Sequence, residues 1–138
     1  MDRIWLDGTE EMNDQSDTMA DFAVLHTDGR LEYGRSSDEE SLLDSVKRHI
    51  SGRRGTMGLR LVRAWYSDDF AIRPGMPVNR LADRVFTSLG YHHFSGWCGT
   101  VVLTMEEDLD SGEIPPLTPT VVAALEALSG GHRAGVAL

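Results

Sequence analysis

The sequence predicts an α+β domain: a mostly antiparallel sheet of about five strands with three helices on one face. Three observations carry that expectation. Short apolar runs bounded by glycine, serine and aspartate recur along the chain, as strands and turns require. Stripes of helical period separate them. The length, 138 residues, and the apolar fraction, 41%, suit one domain with one core.

Taken in order, residues 1–19 form an acidic amino-terminal segment, read as a loop or a short strand around Ile4-Trp5-Leu6. The single α+β domain follows over residues 20–129, and residues 130–138 read as a flexible tail. Ala20 to His26 is the first strand. Thr27-Asp28-Gly29-Arg30 supplies a turn, and Leu31-Glu32-Tyr33-Gly34 returns. Ser37 with Glu40 reads as a capping box that opens a helix, whose buried stripe is Leu42, Leu43, Val46 and Ile50. Gly52 ends it, and Ser51 to Thr56 reads as a polar, basic loop.

Met57 to Tyr66 alternates well enough for one strand, with Met57, Leu59, Leu61 and Arg63 on one side. Ser67-Asp68-Asp69 is its turn and Phe70-Ala71-Ile72 a short return. Two prolines and a glycine between Arg73 and Arg80 forbid continued pairing. Asn79 caps the next helix, whose stripe is Leu81, Ala82, Val85, Phe86 and Leu89, and Gly90 stops it. Gly99 to Thr104 is a largely buried strand. Thr118-Pro119 opens the last helix, with Val121, Val122, Leu125 and Leu128 inward.

The segment Gly75-Met76-Pro77-Val78-Asn79-Arg80-Leu81-Ala82, followed by Gly99-Thr100-Val101-Val102-Leu103-Thr104, resembles the domain-of-unknown-function family numbered 3846. The early Asp28-Gly29 turn and Leu42-Leu43 fit the same outline. The resemblance covers roughly residues 20–117. It implies a small bacterial, actinobacterial, phage or plasmid accessory protein, and it brings no catalytic residue. The long acidic amino-terminal extension and the aromatic Tyr91–Cys98 loop depart from the family pattern.

The formal charge is −9. Carboxylates crowd residues 7–40 and 106–110, whereas the middle carries Arg53, Arg54, Arg60, Arg63, Arg73, Arg80 and Arg84. There is no broad cationic surface for phosphates, so mimicry of nucleic acid is a better expectation than binding to it. No apolar run reaches membrane-spanning length, and the first residues lack a signal peptide's features. A cytoplasmic protein with no membrane partner is expected. Cys98 is the single cysteine, which excludes an internal disulfide.

The residues that invite a functional reading lie around the central loop. Tyr91, His93, Phe94 and Trp97 have the aromatic character of an interface, and Asn79 with Arg80 stands at the helix entry. The ordinary reading is that Phe94 and Trp97 close the open end of the core and Asn79 serves as a cap. His92, His93 and Cys98 are weak metal candidates: imidazole and thiolate suit zinc, but adjacent histidines point apart and a fourth ligand must come from elsewhere. No residue is assigned a catalytic role and no cofactor is expected. The chemistry points to a non-enzymatic binding or regulatory protein with a protein partner. A small metal protein or enzyme using the His92/His93/Cys98 loop is the first alternative, and an oligomeric structural domain the second.

Overall fold

A computed structural model describes residues 20–50, 52–67, 77–91 and 97–130. The expectations for residues 1–19, for the Asp68–Asp69 turn, for the Phe70–Ile72 return strand and for the tail beyond Gly130 lie outside the described residues. Within them the elements run β1 (Phe22–Leu25), β2 (Leu31–Gly34), α1 (Leu42–Arg48), β3 (Arg54–Leu59), β4 (Val62–Ser67), α2 (Arg80–Ser88), β5 (Val101–Met105) and α3 (Pro119–Leu128). The five strands form one antiparallel sheet in the order β2-β1-β5-β4-β3. The α+β class and the count of three helices agree with the sequence reading.

The helices cover both faces, where the sequence suggested one. Ala23, Leu25, Leu59, Val62, Ala64, Val101 and Leu103 point to one face and pack with Leu81, Val85 and Phe86 of α2 and Val121 and Leu125 of α3. Phe22, Val24 and Val102 point to the other and pack with Val46 and Ile50 at α1. Successive strand residues alternate faces, so a strand apolar at every position needs cover on both sides. β1 is such a strand, buried throughout, and β5 is buried over its first four residues. That unbroken apolar character in both central strands was the signal for two helical layers.

The hairpin at the sheet edge also differs from expectation. The run Met57–Tyr66 is not one strand. It turns at Arg60–Leu61, and the Arg53–Thr56 part of the presumed loop is drawn largely into β3. The turn carries no Asn-Gly or Gly-rich signature. Arg60 instead takes φ 72°, the one positive value for a non-glycine among the described residues. Reversing direction there places Met57, Leu59, Val62, Ala64 and Tyr66 on a single face, which resolves the mixed alternation. A left-handed conformation costs an ordinary residue roughly 1 kcal/mol relative to glycine. Arg60→Gly is therefore expected to raise stability by about 1 kcal/mol in urea denaturation.

α1 starts later than the Ser37–Glu40 pattern suggests. Ser41 is its cap, accepting from the Asp44 amide at 3.1 Å. Ser37 instead accepts from the Glu39 and Glu40 amides and folds a separate turn. Glu40 joins that turn to the helix: Arg48 donates to both carboxylate oxygens at 2.8 and 2.9 Å, and the Ser45 hydroxyl donates at 3.0 Å. The Arg48 hydrogen bonds hold the Glu40 carboxyl below its ordinary value of 4.5. A depressed carboxylate stabilises the fold above its unfolded pKa and loses that contribution as pH falls through the folded one. Glu40→Gln is expected to flatten the loss of stability below pH 4.5, checked by comparing denaturation midpoints at neutral and acid pH.

α2 and α3 follow the sequence reading closely. Asn79 and Thr118 cap them, accepting from Ala82 and Val121. Gly90 and Gly130, at φ 91° and 80°, lie just past their ends. Glycine adopts that conformation without steric cost.

Candidate functional site

The residues around the central loop serve the fold where they are described. Val78 and Cys98 form an antiparallel bridge. The Asn79 amide donates to the Trp97 carbonyl and the Gly99 amide to the Pro77 carbonyl at 2.8 Å, so the two segments are laced together. Asn79 is fully buried. Its Nδ2 donates to the carbonyls of Leu25 and Gly99, both at 2.8 Å, while its Oδ1 caps α2. One side chain thus joins the end of β1, the entry to β5 and the start of α2.

Trp97 packs edge-on to Phe86, with ring centroids 4.5 Å apart, and lies 5.5 Å from Tyr66. Its amide donates to Asp83 at 3.0 Å. Tyr91 packs on the same core, and its amide donates to the Phe86 carbonyl. Arg80 is exposed at the first turn of α2. Cys98 is a free, half-buried thiol. His92, His93 and Phe94 lie outside the described residues. Among the described residues no three histidine, cysteine or carboxylate side chains gather as metal ligands.

A cleft of about 200 Å3 lies where β1, β4 and β5 meet the end of α1. It is lined by Thr27, His49, Ile50, Ser67, Pro77, Gly99 and Thr100. Pockets for organic ligands usually run from about 300 Å3 upward, so this one suits solvent or a small ion. The His49 imidazole is held by its Nδ1 donating to the Ser45 carbonyl at 3.1 Å and by packing at 5.6 Å from Phe22.

The feature that sets one surface apart is the β3–β4 hairpin. Residues 53–67 contain Arg53, Arg54, Arg60 and Arg63 and no carboxylate, in a chain whose net charge is −9. On the α1 side, the helix covers β1 and β5 but leaves the hairpin's columns partly open. Thr56 is exposed there, and Arg63 and Trp65 are half-buried. These side chains are held in place. Arg63 donates to Glu106 at 3.0 Å and to the Thr56 hydroxyl at 3.2 Å, and the Thr56 hydroxyl donates to the Ala64 carbonyl. The Trp65 indole donates to Thr104 at 3.1 Å. Arg54 donates to the carbonyls of Ile50 and Lys47, completing the end of α1 where cations are favoured.

A tryptophan and an arginine, preordered and partly exposed, are the side chains most enriched at energetic centres of interfaces. Preordering also lowers the entropy lost on docking. The sequence reading noted the basic middle of the chain but assigned it no site, because Arg53 and Arg54 were placed in a solvated loop and the turn at Arg60 was missed. The available signal was the carboxylate-free stretch itself.

The geometry thus defines a small sheet domain with helices on both faces and one basic, partly uncovered hairpin. No family profile, curated protein or solved structure matches the chain. The likeness of residues 20–117 to the family numbered 3846 rests on motif order alone. No helix of the described residues is long and apolar enough to cross a membrane.

Proposed function

We propose that this chain is a non-catalytic binding or regulatory domain that docks a protein partner through the β3–β4 hairpin. The observation that carries the reading is the concentration of arginine, without any carboxylate, on the edge hairpin of an acidic chain. Beside it lies the partly exposed Trp65. The strained conformation at Arg60 supports it: glycine would suit that turn better, so retaining arginine there costs stability that a surface role offsets.

A protein is favoured over a nucleic acid as the partner. Arg63 is already paired with Glu106, and Arg54 is bound to carbonyls, so neither offers a free charge to displace counterions from phosphates. The remaining net negative charge opposes a long polyanion and tolerates a short acidic epitope.

The test is affinity purification of the intact chain and of the R53E/R60E variant from cells that produce it. A stoichiometric protein retained by the native chain and lost from the variant, with the thermal midpoint unchanged, is the expected result. Equal retention by both, or no partner from either, contradicts the reading.

A further inference from the structure

A groove between α2 and α3 combines an apolar floor with a basic rim. It measures about 350 Å3, its walls are mainly carbon, and it is lined by Asp83, Arg84, Thr87, Ser88 and Leu128. A space of that size takes up an organic group. Arg84 is exposed, and its Nε donates to the Leu128 carbonyl at 3.0 Å. That bond fixes the stem, and the two terminal nitrogens make no hydrogen bond among the described residues. Arg80 stands one turn earlier on α2, four residues away on the same side, and is exposed. Among the described residues neither arginine has a carboxylate within ion-pair distance. Asp83 also lies on the rim, where its carboxylate accepts from the Trp97 amide at 3.0 Å.

The loop after β5 has the complementary character. The Asp108 amide donates to the Glu113 carbonyl at 2.8 Å, and the Gly112 amide to the Asp108 carbonyl at 2.7 Å. The Asp110 amide donates to the Asp108 carboxylate at 2.9 Å. This closed loop holds Leu109 out at 94% exposure, against 44% for Val78, the next most exposed large apolar side chain among the described residues. Exposed Glu107, Asp108, Asp110 and Glu113 surround it. A single exposed leucine is ordinary on a protein surface. Here, however, an apolar tip ringed by carboxylates belongs to the same chain as an apolar floor rimmed by arginines without carboxylate partners.

We propose that Leu109 of one copy seats in the α2–α3 groove of a second copy, with Asp108 and Asp110 against Arg84 and Arg80. Carboxylate and guanidinium pair through charge-assisted hydrogen bonds. The ordered loop lowers the entropy lost on seating. Tip and groove are different patches, so the contact is head-to-tail, and a dimer leaves one tip and one groove free for further copies. The net charge of −9 on each copy resists approach. One seated side chain also buries far less surface than a standard interface, so the association is reversible and develops at high protein concentration. Neither Leu109 nor Arg84 belongs to the β3–β4 hairpin, so this inference does not depend on the hairpin reading.

The test is sedimentation velocity together with amide chemical shifts of the full chain, from about 20 µM to about 1 mM. The sedimentation coefficient is expected to rise with concentration. Shifts at Leu109 and at Arg84, Thr87 and Ser88 should grow in step with it. Leu109→Ser and Arg84→Glu are each expected to weaken self-association by about tenfold or more. Leu109→Ser should leave the thermal midpoint unchanged, because the side chain it removes is exposed. An equimolar mixture of the two variants is expected to associate again and to stop at a dimer. The Arg84→Glu chain supplies a native loop, the Leu109→Ser chain supplies a native groove, and the remaining ends are defective.

A chain that stays monomeric to about 1 mM overturns the proposal. So does self-association that survives Leu109→Ser, or a mixture that fails to associate. Concentration-dependent shifts at the groove amides that persist in Leu109→Ser mean that another segment fills the groove, and they overturn the choice of occupant.

Discussion

Replacing Asn79 by alanine is expected to destabilise the fold by about 3–5 kcal/mol, a large part of the stability of a domain this size. The side chain is fully buried and makes three hydrogen bonds. Loss of the cap accounts for about 1 kcal/mol. Loss of both Nδ2 donors leaves the Leu25 and Gly99 carbonyls short of a partner in the interior, at roughly 1–3 kcal/mol each. Asn79→Ser, which keeps a cap but not the donors, is expected to recover only the smaller share.

Asn79→Asp gives a sharper test. It places a carboxylate against two carbonyl oxygens, so its folded pKa must rise above the unfolded value of about 3.9. A raised pKa means stability that is fully present below the unfolded value and lost as pH climbs through the folded one. The deficit of Asn79→Asp relative to the native chain should therefore shrink on acidification. A deficit that grows on acidification would contradict the assigned hydrogen bonds. Urea denaturation at several pH values reads both variants.

Phe86→Ala is expected to cost about 3–5 kcal/mol, since it removes a fully buried ring from the α2 layer. The edge-on contact with Trp97 contributes about 1 kcal/mol beyond burial alone. Trp97 also supplies the carbonyl that accepts from the Asn79 amide, so loosening its ring should disturb the strap between residues 77–79 and 97–99. Near-ultraviolet circular dichroism should lose tryptophan signal in this variant. Phe86→Leu, which retains most of the volume, should cost less than half as much. Phe86 packs against the inner face of the β3–β4 hairpin and not the face that carries Thr56, Arg63 and Trp65, so binding by the folded fraction should persist.

Much of the fold was legible in the sequence because local and global signals agree there. The stripe from Leu81 to Leu89, the Asn79 cap and the Thr118-Pro119 start all describe elements whose ends are fixed by side chains close in sequence. Two features were not legible. The capping pattern at Ser37 lies four residues before the actual cap, Ser41, which is an equally good cap nearer the buried stripe. The turn at Arg60 was hidden because its conformation is imposed by pairing of β3 with β4 rather than by a glycine. The proposed docking surface followed the same division. Aromatic residues at Tyr91 and Trp97 drew attention by type, but tertiary packing uses them for the core. The arginines of the hairpin became a surface only once the turn placed them on one edge strand and its partner.

The most direct measurement of the central claim is site-specific photo-crosslinking in extract from cells that produce the chain. One crosslinker replaces Thr56 on the hairpin, and another replaces Ala123, which is exposed on α3. A discrete protein adduct from position 56, absent from position 123, is the result expected of a docking surface at β3–β4. Equal adducts from both positions, or an adduct from position 123 alone, would place the partner elsewhere and contradict the account.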